Sequence, residues 1–276
     1  MPRAVKMGTT TAAAIAIVLA TTPGAKAAGP AASAPPRSAE ADAVAYEQCM
    51  QLARDDPEAA AKFAANWHER GSKHPSEHCA AVALIGLKQY PEAAARLEAL
   101  ARDMLQSPVA LRAGVLEQAG QAWMLAANYG RAYEAISMAL SLRPGDPDLL
   151  VDRAAAAGEA HWFDKAVEDL DRVLKDHPDR VDALVYRAAA YRAQGRTEAA
   201  LADLDKALAA APDTPAALLE RGNLLALKGD FDGARRDWSR AAAAAPTSAA
   251  AVAAKSNIER LTQRQKPAAA PSAAPN

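Results

Sequence analysis

The sequence predicts an all-α protein built from repeated pairs of helices. Residues 113–248 divide into four blocks of 34 residues with no insertion or deletion between them. A fixed period in this range indicates a stack of similar supersecondary units and not one globular core. Hydrophobic residues make up 51% of the chain but aromatic residues only 5%. The excess is alanine, which is the best helix former and is small enough to let helices approach closely.

The four blocks keep the same types of residue at the same places. The small residues at place 8 are Gly120, Ala154, Ala188 and Gly222, the alanines at place 20 are Ala132, Ala166, Ala200 and Ala234, and the prolines at place 32 are Pro144, Pro178, Pro212 and Pro246. A bulky side chain where two helices cross would push their axes beyond the usual 8–10 Å, roughly, and lose dispersion contacts. In residues 181–214, apolar residues at helical spacing are interrupted at Gln194-Gly195-Arg196. Each block is therefore predicted to be two helices around a turn.

Residues 1–27 have the pattern of an export signal. Arg3 and Lys6 precede a short apolar run at 11–20, and small residues flank the expected cut after Ala27. The apolar run falls short of the ~20 residues that a membrane-spanning helix needs, which disfavours an uncleaved anchor. We expect cleavage, export to the periplasm or beyond, and no membrane span in the mature chain.

Two segments contain too few bulky apolar residues to offset the entropy of ordering them. Residues 28–39 are predicted to be a disordered linker, and residues 266–276 a disordered Ala/Pro tail.

The repeats predicted between these segments include two less regular helix pairs, over 40–73 and 74–107. Pro57 and Pro91 are 34 residues apart, and each suits the first position of a helix. The regular pairs follow over 113–146, 147–180, 181–214 and 215–248, and one capping helix over 249–265 closes the array.

A surplus of five residues over the period lies around Pro108–Arg112. We expect it to lengthen the next helix rather than to form a loop, with Ser107 as the helix cap and Pro108 at the first position.

With an aromatic residue at place 17 and a small or branched one at place 27, the blocks resemble tetratricopeptide repeats (TPRs). The residues are Tyr90, Tyr129, Phe163 and Phe231 at place 17, and Ala139, Val173, Ala207 and Ala241 at place 27; Thr197 replaces the aromatic in one block. The resemblance implies a right-handed α-α superhelix, a TPR solenoid of about six helix pairs with a C-terminal capping helix. The signal, the alanine-rich array and the cysteine pair are also similar to exported repeat proteins of alphaproteobacterial type.

Cys49 and Cys79 are the only cysteines, and an even count in an exported chain predicts a disulfide. They fall at places 10 and 6 of successive first helices, one helical turn apart, so neighbouring helices could bring them together. The bond would close a loop of roughly 30 residues and stabilise the fold by ~3–4 kcal/mol. Two buried, unlinked thiols are the alternative, which a thiol count under denaturing conditions distinguishes.

No residue pattern points to a metal or to catalysis. His68, His74, His78 and Cys79 are close in sequence, but their spacing matches no established zinc site, and we interpret the histidines as surface loop residues. The sequence lacks a nucleophile elbow, a phosphate loop, a dinucleotide fingerprint and HExxH. We expect no metal, no cofactor and no enzymatic activity.

The remaining polar and aromatic residues are assigned structural roles. Carboxylates such as Glu168, Asp169, Asp171, Asp203 and Asp205 are expected on charged helix faces. The four tryptophans are expected in the core. Lysine and arginine total 32 against 33 acidic residues, with no basic cluster, which disfavours a nucleic-acid partner.

The resemblance also implies a concave binding surface formed by the first helix of each pair. Its candidate residues, at places 2, 5, 9 and 12, are Glu117, Gln121, Asp148, Val151, Asp182, Val185, Arg192, Leu219 and Asn223. The family's carboxylate clamp needs several Lys, Arg and Asn residues, and only Arg192 and Asn223 come near, so we do not expect chaperone-tail binding.

We predict a non-catalytic periplasmic scaffold that binds a protein or peptide through the concave surface. The alternative is a structural subunit or adaptor of a cell-envelope complex that uses its convex face or its ends.

Overall fold

In a computed structural model, residues 39–265 are described, and within this range the chain forms thirteen α-helices and no β-strand. The helices are α1 (Ala39–Asp55), α2 (Pro57–Glu69), α3 (Lys73–Gly86), α4 (Tyr90–Asp103), α5 (Val109–Leu125), α6 (Tyr129–Leu142), α7 (Pro147–Glu159), α8 (Phe163–Asp176), α9 (Val181–Ala193), α10 (Thr197–Ala210), α11 (Pro215–Leu227), α12 (Phe231–Ala244) and α13 (Ala249–Gln265). The predicted all-α class is confirmed. Among these helices, none combines the length and the apolar character needed to cross a membrane.

Three predicted segments fall wholly or mostly outside the described residues. They are the export signal at 1–27, the linker at 28–39 and the tail at 266–276. The one described residue of the linker, Ala39, begins α1.

The described residues form two compact units. The N-terminal unit covers described residues 39–156 and the C-terminal unit covers 157–265. In the N-terminal unit each helix from α1 to α6 packs on the next, and in the C-terminal unit each helix from α8 to α13 does so. First helices also lie side by side: α3 contacts α1, and α11 contacts both α9 and α13.

Local sequence signals explain where several helices begin. The carboxylate of Asp56 caps α2 by accepting a hydrogen bond from the amide of Ala59 at 3.0 Å, and Pro57 occupies the first position. Asp230 caps α12 in the same way through the amide of Gly233, at 2.9 Å.

The start of α5 differs by one residue from the prediction. Pro108 is itself the capping residue, and the helix begins at Val109, so Ser107 is not the cap. A proline has no amide hydrogen and fits either position without losing a helical hydrogen bond. The surplus residues do lengthen the helix, as predicted: α5 has 17 residues, whereas α9 and α11 have 13 each.

Close packing of the helix pairs depends on the small residues at place 8. At Gly222 of α11, an added Cβ would lie 2.6 Å from both Cδ1 and Nε1 of the Trp238 indole on α12. At Gly120 of α5, it would collide with the Ile136 side chain on α6. Both neighbours are buried, so the glycines create the space that the core fills.

The expectation that all four tryptophans are core residues is wrong for Trp162. Trp67, Trp123 and Trp238 are buried, but Trp162 is 39% exposed. It lies immediately before α8, in the turn, where the ammonium of Lys165 sits 4.4 Å from its ring centroid. Because Trp162 caps α8, its ring lies at the end of the helix pair and not between the two helices.

Candidate partner-binding surfaces

An arginine of the first helix ties α9 to two second helices. In the C-terminal unit, Arg187 donates from Nε and Nη2 to the two carboxylate oxygens of Asp203 on α10, at 2.7 and 2.8 Å. Its Nη1 donates to Asp171 on α8 at 2.6 Å. Asp203 is buried, whereas the Asp171 side chain is 52% exposed. These carboxylates raise the pKa of the Arg187 guanidinium, so its charge is permanent.

The same arrangement recurs 34 residues later. Arg221 on α11 donates to both oxygens of the buried Asp237 at 2.7 and 3.0 Å, and to Asp205 at 2.9 Å. We call Arg187, Arg221 and their four aspartates the arginine–aspartate ladder. It fixes the first helices of the C-terminal unit relative to the second helices, and so it positions the surface that the first helices present.

Sequence reasoning missed this ladder. Asp169 and Asp203 were expected on charged helix faces, but they are 2% and 3% exposed. The overlooked signal was the repeat itself, since arginines recur at 153, 187 and 221 and aspartates at 169, 203 and 237. At the second and third of these periods, each arginine binds the aspartate 16 residues later: Arg187 binds Asp203 and Arg221 binds Asp237.

In the N-terminal unit, two of the predicted partner-binding residues belong to one acidic cluster. Glu117 on α5 accepts a hydrogen bond from Arg143 at 2.9 Å, and Arg143 also pairs with Asp146 at 3.2 Å. Burial raises the pKa of Glu117, Arg143 opposes that rise, and nearby Asp146 and Asp148 add to it. Gln121, one turn further along α5, is exposed. Sequence reasoning did not select Asp146, which lies in the turn before α7.

In the C-terminal unit, Arg192 and Asn223 lie on neighbouring first helices. Arg192 on α9 donates from Nε to the buried carboxylate of Glu220 on α11 at 2.8 Å, and Glu220 precedes Asn223 by one helical turn. The Asn223 side-chain oxygen accepts from Trp238 Nε1 at 3.2 Å and from Asn257 Nδ2 at 2.8 Å. The predicted pair is therefore held in place by contacts that sequence spacing did not reveal.

The other predicted residues differ in exposure. Asp182 is exposed and pairs with Arg180 at 2.9 and 3.0 Å, and Val185 and Leu219 are partly buried. Val151 is only 4% exposed, so its side chain offers a partner almost no surface. Whether this set of residues binds a partner stays a prediction.

The predicted disulfide is confirmed. Cys49 on α1 and Cys79 on α3 are joined, with their Cα atoms 6.2 Å apart, and both residues are fully buried. Since α1 and α3 lie side by side, places 10 and 6 of the two first helices face each other.

The histidines are not loop residues, contrary to the interpretation from sequence, and of the three only His68 is exposed. His68 lies on α2, and His74 and His78 lie on α3, which begins before His74 despite the proline that follows it. His78 is 5% exposed; its Nδ1 lies 2.9 Å from the Tyr46 hydroxyl, and its Nε2 lies 2.6 Å from Oε1 of Gln118. Burial lowers the pKa of His78. Within residues 39–265, no group of three or more His, Cys, Asp or Glu side chains is arranged to hold a metal ion.

A cleft of about 260 Å³ lies between α1 and α2 in the N-terminal unit. It is lined by Ala41, Val44, Ala45, Gln48, Phe63, Asn66, Trp67 and Arg70. Sequence reasoning assigned no role to any of them beyond the expectation that Trp67 is a core residue.

The chain is similar to known repeat proteins in sequence and in structure. The profile of the tetratricopeptide repeat family matches residues 151–215 and 188–250. No curated protein sequence matches the chain.

Three solved structures illustrate the structural likeness. MamA 41-end from Desulfovibrio magneticus RS-1 is 18% identical, over 71% of this chain and 99% of that one, with a TM-score of 0.52. YrrB, a TPR protein with an unusual peptide-binding site, is 21% identical over 66% of this chain and 97% of its own, with a TM-score of 0.52. A chain of the APC/C hetero-tetramer Cut9-Hcn1 is 13% identical, over 79% of this chain and 42% of that one, with a TM-score of 0.56.

At these identities the structural likeness shows the fold alone. The sequence likeness to the tetratricopeptide repeat family covers residues 151–250, and the structural likeness shows that the chain shares the fold of such repeat proteins.

Proposed function

We propose that this protein is a non-catalytic scaffold that binds a protein or peptide through the surface of its first helices, outside the cytoplasm. The observation that carries the proposal is the fixed placement of polar side chains on that surface. Asn223 is held by Trp238 and Asn257, and Arg192 is held by Glu220. Side chains that are already ordered lose less conformational entropy on binding. The fold shared with YrrB, whose structure is described as having a peptide-binding site, is in keeping with this role.

The proposed location rests on two features of the chain. Residues 1–27 have the pattern of an export signal, and the paired cysteines suit an oxidising compartment. We place the mature protein in the periplasm, among exported repeat proteins of alphaproteobacterial type. Fractionation of cells that express the full chain, with mass spectrometry of its N-terminus, is expected to find a periplasmic protein that begins at Ala28. A cytoplasmic chain that retains residues 1–27 would refute this location.

A second candidate function is that of a structural subunit or adaptor in an envelope complex that uses its convex face or its ends. It is favoured by exposed apolar side chains at the turn between α11 and α12, where Leu227 is 73% exposed and Phe231 is 44% exposed. Exposed apolar surface of this kind often marks a protein contact.

Cross-linking in periplasmic extract separates the two functions. One variant combines Gln121→Ala, Asp148→Ala and Asp182→Ala, three exposed residues of the first helices. The matched variant is Leu227→Ser, and circular dichroism checks that both remain folded. Arg192→Ala is avoided because it would remove the Arg192 ion pair from the buried Glu220 carboxylate.

The proposal expects cross-linked partners to be lost from the triple variant and retained by Leu227→Ser. The opposite pattern would establish the adaptor function instead.

A further inference from the structure

The cleft between α1 and α2 is lined by one stripe of each helix. Ala41, Val44, Ala45 and Gln48 follow one another at helical spacing on α1. Phe63, Asn66 and Trp67 do so on α2, and Arg70, the residue that caps α2, continues the spacing. Side chains at positions i, i+3, i+4 and i+7 share one face of a helix. Two such faces turned toward a common cleft form a groove of the kind that receives a third helix.

The repeat shows which face of α1 this is. Val44 and Ala45 stand 34 residues before His78 and Cys79 of α3. In α3, those two positions are covered by the preceding pair: Cys79 is bonded to Cys49, and His78 contacts the Tyr46 hydroxyl at 2.9 Å. The cleft face of α1 is therefore the face that α3 uses to pack against a preceding helix.

The stripe on α2 supports the same conclusion. Its residues stand 34 positions before residues of α4 and of the turn after it that are all buried, at 4% exposure or less. The buried equivalents of Phe63, Asn66, Trp67 and Arg70 are Leu97, Leu100, Ala101 and Met104. At three of these four places the first pair is more open: Phe63 is partly buried and Asn66 and Arg70 are exposed, whereas Trp67 is itself only 2% exposed.

The cleft carries both apolar surface and polar groups with unused hydrogen-bonding capacity. Val44 is 61% exposed, and the partly buried Phe63 supplies aromatic surface above the buried Trp67, with the two ring centroids 6.2 Å apart. Among residues 39–265, the side chains of Gln48, Asn66 and Arg70 make no hydrogen bond or ion pair. Among the eight described residues that line the cleft, Arg70 is the only charged one.

We propose that the cleft binds an amphipathic α-helix of a partner protein, packed on α1 and α2 in the place that a preceding helix would occupy. The partner's apolar stripe covers Val44 and Phe63, and an acidic side chain near one end of that helix pairs with Arg70. Small residues of the partner lie against Ala41 and Ala45, because helix axes approach closely only where side chains are small. This site goes beyond the proposed scaffold function, and neither depends on the other.

A helical peptide library tests the proposal on the chain from residue 28 onward. The probe is a set of 20-residue alanine-based peptides with apolar residues fixed on one stripe and the other positions randomised. We expect enrichment of helices that carry an acidic residue. Their affinity is expected to fall by about tenfold or more in Arg70→Glu, because like charges would then face each other. A matching Glu→Lys change in the peptide is expected to restore binding to that variant.

Val44→Asp is expected to weaken the same peptides by a similar factor, because it places a charge against the apolar stripe. Two controls make the same changes beside the cleft without lining it: Lys62→Glu on α2 and Ala43→Asp on α1, both at exposed positions. These controls are expected to bind the peptides as the native chain does. Melting temperatures of all four variants confirm that they remain folded.

Several results would overturn the proposal. One is that no helical peptide is enriched, and another is that enriched peptides bind the two cleft variants as tightly as the native chain. Affinity that rises tenfold when residues 28–38 are deleted would assign the cleft to the chain's own N-terminal segment. Dimerisation that Arg70→Glu abolishes would assign it to a second copy.

Discussion

Arg187 and Asp203 form a two-pronged ion pair between α9 and α10, with N–O distances of 2.7 and 2.8 Å and the carboxylate almost completely buried. The same guanidinium reaches Asp171 on α8, so a single side chain connects two successive helix pairs. A buried carboxylate without its counter-charge destabilises the folded state. Stability in the C-terminal unit thus depends on charge as well as on the apolar core.

Arg187→Met is expected to destabilise the fold by about 3–5 kcal/mol, because it leaves the Asp203 carboxylate buried without a counter-charge. The double change Arg187→Met with Asp203→Leu is expected to recover most of that loss. Asp171→Asn, which removes only the exposed contact, is expected to cost no more than about 1 kcal/mol. Urea unfolding of the three variants measures these values, and equal losses in the single and double variants would contradict the explanation.

Gly222→Ala and Gly114→Ala are expected to change stability in opposite directions. The new methyl group at position 222 would meet the buried Trp238 indole at 2.6 Å, an overpacking expected to cost about 1–3 kcal/mol. At position 114 in α5, nothing lies within 4 Å, so alanine is expected to gain about 0.5–1 kcal/mol from its better helix propensity. Thermal unfolding compares the two variants. A stabilised Gly222→Ala would mean that the helices of this pair are not in close contact.

Ala127→Gly is expected to stabilise the N-terminal unit. Ala127 lies in the turn between α5 and α6 with φ of 54°, a left-handed conformation that costs a residue with a side chain about 1–2 kcal/mol. Part of this gain is lost, because glycine has more backbone conformations in the unfolded chain and therefore loses more conformational entropy on folding. The control is Ala126→Gly, one residue earlier in a right-handed helical conformation, which is expected to cost about 1 kcal/mol. If both changes lowered the melting temperature alike, the turn would not be strained.

Loss of the Cys49–Cys79 bond is expected to lower stability by about 3–4 kcal/mol, since it frees a loop of roughly 30 residues in the unfolded chain. The comparison is between native and Cys49→Ser/Cys79→Ser proteins, with a thiol count that verifies the native bond. The native protein should show no free thiol when it is denatured without reductant. Two free thiols in that assay would refute the disulfide.

His78 is expected to make stability fall as the pH drops below about 6.5. Burial lowers its pKa in the folded protein, so the unfolded chain takes up a proton that the folded chain excludes, and acid favours unfolding. Between pH 7.5 and 5.5, the native protein should lose more stability than His78→Gln, which has no ring to protonate. A pH titration of the His78 imidazole followed by nuclear magnetic resonance measures its pKa directly. A His78 pKa at or above 6.5 would contradict the prediction.

The repeat period alone predicted much of the fold. Places 8 and 20 are small in every regular block, because two helices must cross there whatever else surrounds them. The register of Cys49 and Cys79 followed from the same period, since residues one turn apart on adjacent parallel helices can meet. These features depend only on helix geometry and on the order of the helices.

The candidate sites were harder to predict because they depend on which neighbour covers each helix face. Asp203 and Asp171 both look like surface charges along a single helix, and only the approach of Arg187 separates the buried one from the exposed one. Nothing close to His78 in sequence indicates a hydrogen-bond partner for it. In the structure its ring contacts Tyr46 on α1 and Gln118 on α5.

The sequence by itself determined the helical class, the pairing of helices and the register that brings the two cysteines together, because these depend on spacing along the chain. Only the tertiary structure decided which charges are buried, that the Asn223 side chain accepts a hydrogen bond from the Trp238 indole, and where the first helix pair leaves a cleft. Burial is a property of the space between helices, and its cost or gain depends on the side chains that meet there from distant parts of the sequence.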